Sequence, residues 1–232
     1  MHYICSFKKS TMEALETSRK FTIWKNSLQK SGVILNSMEE LSTIRKGNGE
    51  VLFSLLRIDA QDNSGTPLLP IVLLRGHFVS VLTCFIEQES GNKFLLLVKQ
   101  RRVANGEVFY EHPAGMCDSE ADPLKVACKE VFEETGFEVR PEQLHAINDE
   151  PFYSSPGLLD EGGYFFWCEI TLPKKEIEDF KARKTGAAGE SEFIETDVVP
   201  IEEAFFLMNN TNGMLNLLMY LNARTATFKK KA

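Results

Sequence analysis

Three glutamates, Glu130, Glu133 and Glu134, fall inside one five-residue stretch of the segment GMCDSEADPLKVACKEVFEETGF, residues 115–137. Like charges one helical turn apart repel by roughly 0.2 to 0.5 kcal/mol per pair even in solvent, and partial burial strengthens the repulsion. A helix that keeps them together is either a solvated face, which Glu-rich helix ends commonly are, or a site where a divalent cation supplies the missing positive charge. All-oxygen donors favour a hard ion, Mg²⁺ first and Mn²⁺ second.

Holding these side chains in place requires a helix with fixed ends and a surface to pack on. Asp122 suits the N-cap, Pro123 the first helical position and Gly136 the left-handed residue after the last turn, so the spacing predicts a helix over 123–135. Leu124, Ala127, Cys128 and Val131 form one apolar stripe for packing on a sheet, with the glutamates on an adjacent face. Just before it, the run His112-Pro113-Ala114-Gly115 turns the chain into the segment, where the Ala114 carbonyl can serve as a neutral oxygen ligand. Nothing gives His112 a metal partner at ligand spacing, and it reads as a loop or core residue.

Gly115, Lys129-Glu130, Glu133-Glu134 and Gly136-Phe137 closely resemble the Nudix box, Gly-x5-Glu-x7-Arg-Glu-U-x-Glu-Glu-x-Gly-U with U apolar. Two positions depart from it: Ala121 stands where the first Glu belongs, flanked by Glu120 and Asp122, and Lys129 replaces the Arg. By the resemblance, that Arg orients a box glutamate, and Lys keeps the charge but loses the planar fork. The resemblance implies a metal site made of Glu130, Glu133, Glu134 and the Ala114 carbonyl, with Glu133 also counted among the catalytic groups. It implies a Nudix-type α/β/α sandwich with a mixed sheet.

Around this centre the chain has the composition of an ordinary globular protein: 232 residues, 43% hydrophobic and 25% charged. A net charge of −7 argues against a nucleic-acid surface. Five scattered cysteines without a C-x-x-C pair read as reduced thiols. No apolar run approaches the roughly 20 residues of a membrane helix, and residues 1–20 lack the apolar block of a secretory signal, so cytoplasm is the expected compartment.

In chain order, residues 11–29 have helical periodicity around Met12, Leu15, Phe21, Trp24 and Leu28, with Trp24 expected as a core anchor rather than a base-stacking residue. Strands are expected at 51–60 and 68–74, joined by a turn-rich loop. The first 75 residues are therefore expected to form a small helix-and-strand appendage, followed by a core domain over 76–232. There, strands are expected at 78–86, 93–99, 143–148, 164–170 and 193–199, and helices at 174–182, 201–208 and 214–224. FLLLV within 93–99 is apolar on both faces, as a central strand is. Gln100-Arg101-Arg102 directly follows that strand, its arginines either a solvated strand end or a clamp for a diphosphate. The long polar loop 152–163 is where substrate contacts are expected, and the run 185–192 sets small residues on either side of two carboxylates.

VKQRR, the Glu111–Met116 run E-x-PAGM, SSPG at 154–157 and GESEFIE at 189–195 resemble the ADP-ribose and ADP-sugar diphosphatase branch of that family. This resemblance implies Mg²⁺-dependent water attack on the diphosphate of a nucleoside diphosphate sugar, releasing AMP and a sugar phosphate. Arg101 or Arg102 would grip phosphate, and Glu111 would make a polar contact beside the site. Glu192 would be the general base, with Glu190 second, because the family's base lies in a loop at this place. Both carboxylates can equally be solvating a loop tip. The resemblance further implies a homodimer. The alternatives are a diphosphatase for UDP-sugars or dinucleotides, and a non-catalytic nucleotide-sugar sensor. The retained glutamates weigh against the sensor.

Overall fold

A computed structural model describes residues 14–118, 120–185 and 194–225. Its elements are α1 (Arg19–Lys30), β1 (Ile34–Arg45), β2 (Val51–Gln61), β3 (Ile71–Leu74), β4 (Phe78–Glu87), β5 (Lys93–Arg101), β6 (Val108–Glu111), β7 (Ala114–Met116), α2 (Pro123–Thr135), β8 (His145–Ala146), β9 (Phe152–Tyr153), β10 (Gly162–Leu172), α3 (Lys174–Glu178), β11 (Lys184–Thr185), β12 (Ile194–Pro200), α4 (Ile201–Leu207) and α5 (Thr211–Thr225). They divide into two units, one of Met1–His77 with Tyr153–Glu161, the other of Phe78–Phe152 with Gly162–Ala232.

In the first unit the helical pattern begins later than its periodicity predicts. A 3-10 turn at Leu15–Thr17 runs into Ser18, whose extended backbone and hydroxyl, accepting the Phe21 N–H, start α1. Phe21 and Trp24 pack with Leu15, Leu56, Ile58 and Leu74 in one core, so Trp24 is the anchor expected of it. β1 was not expected, and its pairing explains why. Irregularities between Leu35 and Ser37, Glu40 and Ser42, and Ile44 and Arg45 break the two-residue alternation by which a strand is recognised.

Tyr153–Glu161 belongs to this unit through backbone bonds. The Leu73 N–H donates to the Leu158 carbonyl at 2.8 Å, and Leu73 and Leu159 form a parallel bridge. The buried Asp160 carboxylate accepts the N–H groups of Arg75 at 2.6 Å and Gly76 at 3.0 Å, while Arg75 pairs with Glu161 at 3.0 Å. Buried Lys20 reaches the same turn from α1, donating to the carbonyls of Leu52 at 2.6 Å and Arg75 at 3.2 Å.

In the second unit a mixed sheet runs β11-β12-β5-β4-β10-β8, with β6 paired to β5 and β7 to β4. β4 and β10 are parallel over Phe78↔Gly163 to Glu87↔Leu172, and β4, β5, β12 and β11 are antiparallel to one another in turn. Alternation along β4 sends Val79 and Val81 to α2 and Leu82 and Cys84 to the opposite layer, where α4 and α5 supply Ala204, Leu217 and Tyr220. Leu95, Leu96 and Leu97 are fully buried, as a strand covered on both faces requires. Helices on both faces of a mixed sheet make the expected α/β sandwich.

Two elements are shorter than their sequence pattern. The helix from Lys174 stops at Glu178, and Asp179–Ala182 form turns ending at Ala182 with φ +56°. Over 143–148 only His145–Ala146 pair as strand. Asn148 then takes over from the backbone, its amide donating to the carbonyls of Glu150 and Gly163 at 2.7 and 2.9 Å and accepting the Phe165 N–H at 2.8 Å. No helix among the described residues is long and apolar enough to cross a membrane.

Candidate active site

Local chemistry fixes α2 as its sequence predicts. The Asp122 carboxylate accepts the Leu124 N–H at 3.0 Å, Pro123 occupies the first turn, and Gly136 ends the helix at φ +70°. Loss of such a cap costs about 1 kcal/mol. The stripe of Leu124, Ala127, Cys128 and Val131 packs against Val79, Val81 and Phe166 of the sheet, which turns the adjacent glutamate face toward β7.

The three glutamates do not share one environment. Glu130, with its side chain 15% exposed, lies so close over Gly115 that a Cβ there would overlap its carboxylate. Glu134 is buried and accepts the Ala114 N–H at 3.0 Å. Both carboxylates therefore lie against neighbouring residues of β7, Glu134 through a hydrogen bond and Glu130 by close approach. Glu133 points outward, 34% exposed, and pairs with the Lys129 ammonium at 2.7 Å, while that ammonium lies 3.8 Å from Glu130. Lys129, standing where the box has Arg, thus sits between two box carboxylates. Glu120, beside the departed position Ala121, accepts the Asp122 N–H at 3.0 Å and supports the start of the helix.

The far end of α2 is tied to β11, where the Thr185 hydroxyl donates to the Glu134 carbonyl. Thr185 is paired with Ile194 across β11 and β12. Glu190 and Glu192 lie between these two partners, outside the described residues. Of the phosphate candidates, Arg102 reaches Glu111 with two nitrogens, at 2.7 and 2.9 Å, and Arg101 donates to the Gly106 carbonyl. The structure thus joins Arg102 to Glu111, and Ala114 and Gly115 to Glu130 and Glu134.

Sequence reasoning passed over Thr185, whose bond to Glu134 spans 51 positions, and Lys99. The Lys99 ammonium pairs with Glu195 and lies 3.8 Å from Asp197. The hydrogen bond raises the Lys99 pKa and lowers that of Glu195. The FLLLVK pattern hints at Lys99 only by ending in a charge. His112 is fully buried, and desolvation pushes its pKa down to about 3, so the ring is neutral.

A profile described as the NUDIX domain matches residues 76–220, which span the sheet, the box helix and most of α5. The chain belongs to the Nudix family. It is a Nudix hydrolase, of a family that works with a divalent cation. Nudix hydrolase 14, chloroplastic, from Arabidopsis thaliana is 26% identical over 223 residues, covering 90% of this chain and 71% of that protein. The ADP-ribose pyrophosphatase of Bacillus subtilis (strain 168) is 30% identical over 119 residues, covering 50% of this chain and 56% of that protein. A crystal structure of an ADP compounds hydrolase has the same fold, with a TM-score of 0.59 and 14% identity over 84% of this chain and 95% of that one.

The donors expected from the box, Glu130, Glu133, Glu134 and the Ala114 carbonyl, are all oxygens, which suits a hard divalent ion. Of these, Glu134 accepts the Ala114 N–H and Glu130 lies directly against Gly115. Among the described residues no three acidic, imidazole or thiol groups form a ready-made cage. Mg²⁺ commonly takes one or two carboxylates and fills the rest of its shell with water and substrate phosphate.

Proposed function

We propose that this Nudix hydrolase cleaves the diphosphate of a nucleoside diphosphate sugar of the ADP-ribose or ADP-glucose class, giving AMP and a sugar phosphate. The observation that carries the reading is the convergence of Glu130 and Glu134 on the Ala114–Gly115 backbone, which brings two carboxylates together beside β7. The activities named for the Bacillus relative and the structural neighbour support the ADP-linked substrate class.

The Ala114 carbonyl with Glu130, Glu133 and Glu134 would hold Mg²⁺, or Mn²⁺ in its place. Bound there, the ion would supply charge to offset the phosphate oxygens and to acidify water. Arg101 and Arg102 grip the diphosphate, for which Arg102 exchanges its present partner Glu111 for phosphate oxygen; Glu111 is left as a polar contact beside the substrate. Glu192, with Glu190 as the second choice, takes the proton of the attacking water. The water oxygen bonds to phosphorus as the bridging P–O bond breaks, and the leaving phosphate carries the bond's electrons. The pairing of Thr185 with Ile194, and the tie of Thr185 to the end of α2, support a base in the segment between them.

The division into an N-terminal appendage over 1–75 and a hydrolase domain over 76–232, and the homodimer, belong to the same reading, as does a cytoplasmic location. The deciding experiment incubates purified protein with ADP-ribose, ADP-glucose, UDP-glucose and a dinucleoside diphosphate, with Mg²⁺ or Mn²⁺, and identifies products by chromatography. Release of AMP from ADP-ribose or ADP-glucose is expected. Preference for UDP-glucose or the dinucleotide would reassign the substrate, and no turnover with either metal would end the enzyme reading.

A further inference from the structure

The first turns of α5 bind the strands next to the peptide segment on which Glu130 and Glu134 converge. Asn210 caps that helix, its amide oxygen accepting the Gly213 N–H at 2.7 Å while its nitrogen donates to the Tyr110 carbonyl of β6 at 3.0 Å. The space a side chain at 213 would need is filled by the Asn210 amide, 2.8 Å away, and the Met208 sulfur. One turn on, fully buried Asn216 donates to the Ser80 carbonyl and hydroxyl, both at 3.2 Å, and to the Phe166 carbonyl at 3.4 Å. Ser80 is the ladder partner of Ala114, and the next residue, Val81, donates to the Pro113 carbonyl at 2.9 Å. α5 therefore holds β6 at Tyr110 and β4 directly opposite Ala114.

His112 lies in the chain between those two attachments, two positions before Ala114 and 2% exposed. Its ring lies against the Gly213 backbone, yet neither Nδ1 nor Nε2 closes a well-aligned hydrogen bond, and Asn216 Oδ1 likewise lacks a partner. A polar ring with no more than a poorly aligned backbone contact gains little in a sealed interior over an apolar ring of similar size, so packing alone gives no reason for a histidine here. We infer that His112, together with Asn216, is a positioning pair that sets the Ala114–Gly115 backbone against Glu130 and Glu134, at some expense to stability. Polar reach is the means: the imidazole faces the Gly213 backbone of α5 from the chain just before the Pro113 turn, and Asn216 holds the strand across from it.

This inference rests on the proposed reading of the Ala114–Gly115 segment as part of the ion-binding site. The test compares wild type with His112→Phe, His112→Gln and Asn216→Leu by three measurements. These are the urea unfolding midpoint, Mn²⁺ binding followed by electron paramagnetic resonance, and kcat and KM for the preferred nucleotide sugar. His112→Phe is expected to unfold at the wild-type midpoint or above it while Mn²⁺ affinity and kcat each fall about tenfold or more, with KM little changed. His112→Gln, which keeps polar reach, is expected to recover part of both, and Asn216→Leu to repeat the loss. Folded His112→Phe with wild-type ion affinity and kcat overturns the inference while leaving the hydrolase reading intact. If His112→Phe does not fold, wild-type values in folded Asn216→Leu overturn it. Wild-type protein that neither turns over nor binds Mn²⁺ overturns both.

Discussion

The carboxylate of Glu130 occupies the space that a side chain on Gly115 would fill. Gly115 therefore serves close approach rather than a turn, and Gly115→Ala should displace a flexible carboxylate instead of breaking the strand. The expected outcome is a thermal midpoint within a few degrees of wild type and a loss of kcat/KM on the order of 10²-fold, as a roughly 1 Å misplacement produces. Unchanged kcat/KM with the divalent ion would remove Glu130 from the site.

Glu133 answers a different question because its partner is exposed. The surface pair with Lys129 is worth about 0.2–1 kcal/mol, so Glu133→Gln should barely alter unfolding while abolishing metal-dependent turnover. Lys129→Ala should cost equally little stability. A large drop in unfolding midpoint for Glu133→Gln would mark the residue as structural.

For the proton acceptor, Glu192→Gln is expected to lower kcat by about 10²–10⁴-fold with ion affinity nearly unchanged. Glu190→Gln supplies the contrast. Normal kcat in Glu192→Gln with loss in Glu190→Gln would exchange their roles, and normal kcat in both would place the base elsewhere.

Away from the box helix, Glu169 provides an acid-range signature. Its partial burial would raise its pKa, but hydrogen bonds from Lys93 at 2.7 Å and Tyr220 at 2.7 Å, with Arg224 nearby, outweigh that and hold it below the usual 4.5. A depressed carboxylate stabilises the fold above the unfolded pKa, and that contribution is lost as pH falls through the folded value. Wild-type stability should decline on acidification below about pH 4.5. Glu169→Gln should flatten this part of a urea-midpoint profile without altering kcat/KM at neutral pH.

The acid at Asp160 makes a prediction for the first unit. Asp160→Ala leaves the Arg75 and Gly76 N–H groups without their acceptor, which should cost about 1–3 kcal/mol, whereas Asp160→Asn keeps an oxygen there and should cost less. Equal unfolding midpoints for the two variants would contradict this account.

What could be read without coordinates was what short-range chemistry encodes. Asp122, Pro123 and Gly136 marked both ends of α2 because caps act within a few residues, and the fixed box spacing singled out its glutamates. β1 escaped because its bulges erase alternation, and α3 was overextended because charge alone does not sustain a helix past Glu178. The division of labour among the glutamates was also hidden. It depends on contacts such as Ala114 to Glu134 and Thr185 to Glu134, 20 and 51 positions apart, which leave no local pattern.

The backbone bridge between Leu73 and Leu159, reinforced by Asp160, bears on how the protein can be cut down. A shortened chain beginning at residue 76 would keep Tyr153–Glu161 but discard the strand it is sewn to and one of the two amides its buried acid binds. Such a fragment would carry a frayed excursion in place of a finished catalytic core. Dissecting the enzyme at that apparent seam would therefore remove more than an appendage.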